Sequence, residues 1–82
     1  MTSKASLRAI IRLKLEANLL PREQAGRLWA GPGAGEVCSA CDEKITKKDV
    51  LYEWDYAGSK INMHLACYEL WNDLRRRRPR RT

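Results

Sequence analysis

Two short motifs constrain the fold of this chain more than anything else in its sequence: a Cys-x-x-Cys and a later His-x-x-Cys. Together they use every cysteine and the only histidine of the 82 residues, namely Cys38, Cys41, His64 and Cys67. Three thiolates and one imidazole form a complete tetrahedral ligand set for Zn²⁺, and four protein ligands are typical of structural rather than catalytic zinc. Soft sulfur donors argue against Mg²⁺ and Ca²⁺. We therefore predict one structural Zn²⁺ as the cofactor.

The spacing of the four residues fits this chemistry at both ends. The two residues between Cys38 and Cys41 allow a tight turn that points both sulfurs at one ion. The two residues between His64 and Cys67 place them at i and i+3, which are neighbours on one face of a helix. The intervening segment is long enough for two short strands and a turn. An iron or iron–sulfur site is compatible with the same spacing.

Other uses of the cysteines agree less well with the sequence. A thiol redox pair at Cys38 and Cys41 would leave Cys67 and His64 without a role, and no βαβ pattern surrounds the motif; this is a remote alternative. A disulfide framework requires an even number of cysteines. A Cys/His nucleophilic pair needs an orienting group and a substrate cleft, and a zinc deaminase needs a His-x-Glu motif. We predict that the protein is not an enzyme.

The length of the chain is enough for one domain at most, and a domain of this size buries only a limited core. Such domains often need a disulfide or a metal ion for stability, and here a metal ion would have this role. Charged residues such as Arg12, Lys14 and Glu16 interrupt any apolar run near the N-terminus. The sequence therefore predicts no signal peptide and no membrane-spanning helix. Reduced, metal-binding cysteines fit a cytoplasmic protein.

Residues 1–20 are predicted to contain an N-terminal amphipathic helix over residues 6–18, with Ser6 as its N-cap. Pro21 is incompatible with helical geometry at Leu20 and ends this helix. An apolar stripe at helical spacing is formed by Leu7, Ile10, Ile11 and Leu15. We expect the stripe either to pack on the zinc module or to dock on a protein partner.

Residues 21–35 are rich in proline and glycine and are predicted to act as a linker. A short turn of helix is expected within residues 21–29, with Pro21 at its first position. Trp29 is expected to anchor this segment by packing on the zinc module. The glycines between Gly31 and Gly35 follow no strand and precede no Lys-Ser/Thr pair, so they do not indicate a phosphate-binding loop.

Residues 36–74 are predicted to form the zinc module. Residues 50–56 alternate in polarity, which predicts a strand with one buried aromatic face, followed by a turn at 57–59 and a return strand over 60–63. Residues 64–77 are predicted to form a helix whose metal-binding face continues as an apolar face. The aromatic row along the strand is interpreted as core packing, although a platform for stacking bases is an alternative. The fold class is a small, zinc-stabilised α+β domain.

The net charge of +6 is distributed unevenly, and residues 36–74 carry eight acidic and only four basic side chains. Nucleic acid would therefore meet the flanks, where arginines bind phosphate without reading sequence. Candidates in the Arg-rich C-terminal tail, residues 75–82, are Arg75, Arg76, Arg77, Arg78, Arg80 and Arg81; candidates on the N-terminal helix are Arg8, Arg12 and Lys14. The alternatives are a solvated tail and a protein–protein adaptor that uses the N-terminal helix or the acidic face of the zinc module.

The order of a Cys-x-x-Cys knuckle, a hairpin and a helix that opens with His-x-x-Cys resembles a treble-clef zinc finger over residues 36–74. The ligand order is similar to that of the poly(ADP-ribose) polymerase fingers, which recognise damaged DNA; the likeness rests on the four ligands, Ile45 and the strand pattern. The resemblance implies a treble-clef-like fold with an added N-terminal helix. Through Leu7-Arg8, Leu20-Pro21 and residues 29–35, the whole chain also looks like small bacterial proteins with no assigned activity.

Overall fold

The computed structural model describes residues 3–24 and 26–76, in which two helices pack against antiparallel strands. In chain order these elements are α1 (Lys4–Glu16), β1 (Trp29–Pro32), β2 (Glu36–Val37), β3 (Lys44–Ile45), β4 (Val50–Tyr56), β5 (Ser59–His64) and α2 (Leu65–Arg76). This confirms the small α+β class predicted from the sequence. No helix in the described part of the chain is long and apolar enough to cross a bilayer.

The strands form two antiparallel sheets, one with the order β1-β4-β5 and a smaller one of β2 and β3. The predicted β4–β5 hairpin is confirmed, and its tip is Ala57-Gly58, whose φ angles of 52° and 82° suit a tight hairpin turn. The return strand is longer than predicted, because β5 continues to His64. His64 therefore ends a strand instead of opening the helix.

Burial along β4 does not follow the predicted alternation. Leu51 and Trp54 are both buried although they lie on opposite faces of the strand, and Val50 is exposed. Leu51 is paired with His64 at one end of the sheet, whereas Trp54 packs on Trp71 of α2 with ring centroids 4.9 Å apart. The strand is thus covered on one face at its start and on the other face further along.

Helix α1 begins two residues earlier than the sequence predicts. The N-cap is Ser3, whose side chain accepts a hydrogen bond from the Ser6 backbone N–H at 3.1 Å, so the prediction of Ser6 as the cap is wrong. Along the stripe, Leu7, Ile11 and Leu15 are buried in the core. Of the two predicted uses of this stripe, packing is the one that the structure shows.

The predicted linker contributes a strand. Residues 29–32 form β1, which pairs with β4 from Trp29 opposite Glu53 to Pro32 opposite Val50. The described residues of the stretch 21–29 contain no helix, so that prediction is wrong. Trp29 is 50% exposed and its ring lies over Gly31, so it is not the expected anchor. The anchoring role belongs to fully buried Trp71, whose Nε1–H donates to the Pro21 carbonyl at 2.7 Å.

Candidate metal centre

The structure brings together the four side chains that the sequence predicts as ligands. One possible ligand atom from each of Cys38, Cys41, His64 and Cys67 lies within 4.8 Å of all the others. The sulfurs of Cys41 and Cys67 are 3.5 Å and 3.8 Å from Nδ1 of His64. Ligand atoms around a tetrahedral zinc ion, with bonds of about 2.0 to 2.3 Å, lie roughly 3.5 to 3.8 Å apart. These residues could therefore hold one metal ion.

The Cys38–Cys41 turn, here called the knuckle (residues 38–42), is fixed by its backbone. Cys38 N–H donates to the Glu43 carbonyl at 2.8 Å, and Asp42 N–H donates to the Cys38 carbonyl at 2.9 Å. The Cys41 N–H points at the Cys38 sulfur at 3.5 Å. Asp42 has a φ of 66°, a left-handed conformation that Asp tolerates better than most residues. These hydrogen bonds fix the backbone that carries both knuckle sulfurs.

Contacts with β5 join the knuckle to the second pair of ligands. Ser39 N–H donates to the Asn62 carbonyl at 2.6 Å, and Asn62 N–H returns a hydrogen bond to the Ser39 hydroxyl at 3.2 Å. His64 and Cys67 follow at the end of this strand and in the first turn of α2. The metal centre therefore lies where the small sheet, the hairpin and α2 meet.

The orientation of the His64 ring assigns its ligand nitrogen. Nε2 lies 3.1 Å from the Lys44 carbonyl, which can only accept, so Nε2 carries the proton and Nδ1 presents its lone pair to the sulfurs. A backbone carbonyl bonded to the outer nitrogen of a metal-binding histidine is a common way to fix the tautomer. The Asp49 carboxylate lies further away, 3.8 Å from Nε2. The imidazole is thus oriented as a neutral metal ligand.

The electrostatics of the cluster favour a cation. A hydrogen bond from Cys67 lowers the pKa of the Cys38 thiol to about 4, and the same hydrogen bond raises the pKa of Cys67. Burial raises the pKa of Cys41. For His64, burial lowers the pKa, but the hydrogen bond and charge of the Cys38 sulfur outweigh this effect and raise it. Metal binding would release the protons that remain on the cysteines, because a dication stabilises thiolates.

Lys14, which is predicted from the sequence to contact phosphate, instead contacts the knuckle of this centre. Lys14 of α1 donates from Nζ to the Ser39 carbonyl at 3.0 Å and to the Asp42 carboxylate at 2.9 Å, and its side chain is only 17% exposed. Helix α1 is thereby fixed to the knuckle. The position of Lys14 in the helix could have indicated this role. Lys14 follows Ile11 by three residues and so borders the apolar stripe.

Several of the predicted phosphate-binding arginines have partners inside the fold. Arg8 pairs with Asp73 at 3.6 Å. Arg75 stacks over the Trp71 ring at 4.9 Å and donates to the Asn72 side chain and the Arg22 carbonyl. Arg12 and Arg76 are exposed and have no ion pair among the described residues. The remaining four candidates, which are Arg77, Arg78, Arg80 and Arg81, lie outside the described residues.

Comparison with known proteins found no matching family model, no similar curated protein and no similar solved structure. The treble-clef likeness and the likeness to the poly(ADP-ribose) polymerase fingers therefore stay predictions.

Proposed function

We propose that this protein is a non-catalytic, cytoplasmic binding module whose fold is closed by one structural Zn²⁺, with the treble-clef-like order of knuckle, hairpin and helix. The observation that carries the proposal is the convergence of three sulfurs and the Nδ1 atom of His64 within 4.8 Å. Three soft sulfur donors and one imidazole favour zinc over magnesium and calcium, which prefer oxygen ligands. Four protein ligands leave no open coordination position for a substrate.

The position of the centre explains why the metal would stabilise the fold. It connects the knuckle between β2 and β3 with the junction of β5 and α2, and two of its ligands, Cys38 and Cys67, are buried in the core. A structural zinc site contributes about 10 to 16 kcal/mol of apparent binding energy. A domain of this size has roughly 5 kcal/mol of net stability. We therefore expect the metal-free chain to be unfolded.

The test combines metal analysis with folding. Elemental analysis of the purified protein should give one zinc per chain, and replacement by Co²⁺ should give the thiolate and ligand-field absorption bands of a tetrahedral site. Excess chelator and the variant Cys67→Ser should each abolish the dispersed NMR spectrum. A well-dispersed spectrum of the metal-free protein would show that zinc is not the structural element.

A second candidate function, non-specific nucleic-acid binding, is favoured by the exposed guanidinium groups of Arg12 and Arg76, which form no ion pair within residues 3–24 and 26–76. The candidate phosphate-binding residues are therefore Arg12 and the arginines from Arg76 onward. The other three predicted residues, which are Arg8, Lys14 and Arg75, already have partners within the fold. If the five arginines from Arg76 to Arg81 neutralised phosphates, log K for duplex DNA would fall with log salt at a slope of about −4.5.

Deletion of residues 77–82 tests this second proposal, because it leaves the packed Arg75 in place. Electrophoretic mobility shifts at several salt concentrations should show weaker binding and a shallower salt slope for the truncated chain. The variant Arg8→Met is the matched control, since it removes a guanidinium group that already has a partner. Equal affinities of the truncated and full-length chains would exclude the tail as the site of contact.

A further inference from the structure

A rigid, basic turn lies beside the metal centre between β3 and β4. Asp49 N–H donates to the Thr46 carbonyl at 2.9 Å, and the Asp49 carboxylate accepts from the Thr46 N–H at 2.9 Å and from its hydroxyl at 3.0 Å. Lys48 N–H also donates to the Thr46 hydroxyl at 3.3 Å. These bonds hold the two central residues, Lys47 and Lys48, at the tip of a fixed turn. Their side chains are exposed.

The positive charges of the zinc module are concentrated at this turn. Residues 36–74 contain four lysines and no arginine. Lys60 pairs with Glu53 at 3.4 Å on the hairpin. The side chains of the other three, Lys44, Lys47 and Lys48, are exposed and have no ion pair among the described residues. The lysines of the module without an ion pair in the described part of the chain therefore all lie within residues 44–48, although the module as a whole is acidic.

Exposed aliphatic side chains accompany these lysines. Val37 is 55% exposed and is the cross-strand partner of Lys44 in the small sheet. Val50, 42% exposed, follows the turn, and Leu65, 38% exposed, follows His64, whose ring bonds to the Lys44 carbonyl. The β4–β5 ladder ends at the pair Leu51–His64, so Val50 and Leu65 each lie one residue beyond the same end of this ladder. We call these six residues the metal-end surface: Val37, Lys44, Lys47, Lys48, Val50 and Leu65.

We propose that the metal-end surface docks an acidic peptide segment that carries aliphatic side chains. Exposed apolar residues with a charged border are typical of protein interaction sites, and the lysines would attract and orient carboxylates. Contacts with nucleic-acid bases use aromatic or arginine planes, whereas this surface offers valine, leucine and lysine. The hydrogen bonds of the turn fix the backbone that carries Lys47 and Lys48, which lowers the entropic cost of docking.

The surface is a different site from the arginine-rich segment and does not depend on which metal closes the fold. Its connection to the metal centre is the hydrogen bond between His64 and the Lys44 carbonyl, which fixes β3 relative to the start of α2. The proposal is therefore tested on the metal-loaded full chain, where its failure leaves the zinc proposal untouched.

The experiment is a ¹⁵N NMR titration with two short synthetic peptides, one alternating Asp and Leu and one alternating Lys and Leu. The acidic peptide should shift the backbone signals of the metal-end surface, and the basic peptide should not. The double variant Lys47→Ala/Lys48→Ala should bind the acidic peptide roughly fivefold more weakly, as the loss of two exposed ion pairs predicts. The matched control Lys60→Ala removes a lysine of the same module that lies elsewhere and should bind like the parent chain.

Three outcomes would overturn the proposal. The first is the absence of shifts at the metal-end surface at saturating acidic peptide. The second is an equal loss of binding free energy for each lysine removed in Lys60→Ala and in the double variant, which would show that only overall charge matters. The third is a response of the same signals to a short DNA duplex but not to the acidic peptide, which would assign the surface to nucleic acid.

Discussion

The role of Lys14 offers the sharpest test of how α1 and the metal centre depend on each other. We expect Lys14→Met to weaken zinc binding, because methionine keeps the apolar length of the side chain but removes the ammonium group that holds the knuckle. The bond to the Ser39 carbonyl is charge-assisted and is worth about 1.5 to 3 kcal/mol. The Asp42 partner is 70% exposed, so that ion pair adds less than about 1 kcal/mol.

Lys14→Met should therefore destabilise the folded protein by about 2 to 3 kcal/mol. This loss of stability should lower the zinc affinity by the same free energy, because zinc binding and folding are coupled. At about 1.4 kcal/mol for each tenfold change, the apparent zinc affinity should fall by roughly 30-fold to 150-fold. Competition against a chromophoric chelator measures this change, and denaturant unfolding of the zinc-loaded protein measures the stability independently.

Arg8→Met provides the matched control on the same helix. Arg8 and Asp73 are joined at 3.6 Å and are both well exposed, so this substitution should cost less than about 1 kcal/mol. Asp42→Asn should also have a small effect, since Asn tolerates the left-handed backbone of that position. If Lys14→Met and Arg8→Met weakened zinc binding equally, Lys14 would be an ordinary surface contact and our reasoning about the knuckle would be wrong.

Two further pairs of substitutions test the packing through denaturant unfolding of the zinc-loaded protein. Gly33→Ala would push a methyl group into the carbonyl oxygens of residues 45 and 46, so it should lower the free energy of unfolding by about 3 kcal/mol. Gly58→Ala lies at the open hairpin tip and should lower it by about 1 kcal/mol, through the positive φ of that position alone. Equal costs would contradict the close approach at Gly33. Trp71→Ala should cost about 4 kcal/mol of stability, because Trp71 is fully buried. Trp29→Ala should cost less than about 1 kcal/mol, because Trp29 is half exposed. The reverse order of costs would show that Trp29 is the anchor.

The elements with a strong local signal could be predicted from the sequence. The spacing of cysteines and histidine indicated one cluster, and the helical and alternating patterns predicted α1, β4 and α2. The sequence pattern does not decide whether Ser3 or Ser6 is the N-cap. Both residues are good caps, and the first turn between them contains no core residue. Element boundaries depend on such local competition between equivalent residues.

The other differences arise from contacts between distant parts of the chain. Residues 29–32 form a strand because β4 offers an unpaired edge, and proline is tolerated there since an edge strand can lack a donor. Composition alone assigned this segment to a linker. In the same way, nothing in the local sequence of Lys14 shows that the knuckle carbonyl will lie 3.0 Å from its ammonium group.

The packing of α1 on α2, with Arg8 bonded to Asp73, has a consequence for synthesis on the ribosome. Helix α1 leaves the exit tunnel before α2, so the buried leucines and isoleucine of α1 stay exposed until α2 has been synthesised. Until translation has passed residue 74, the nascent chain therefore carries an exposed apolar helix face and thiols that are not bound to a metal. Burial of that helix face and completion of the proposed metal site would then be nearly simultaneous, and the preceding interval is the period of greatest risk from oxidation or aggregation.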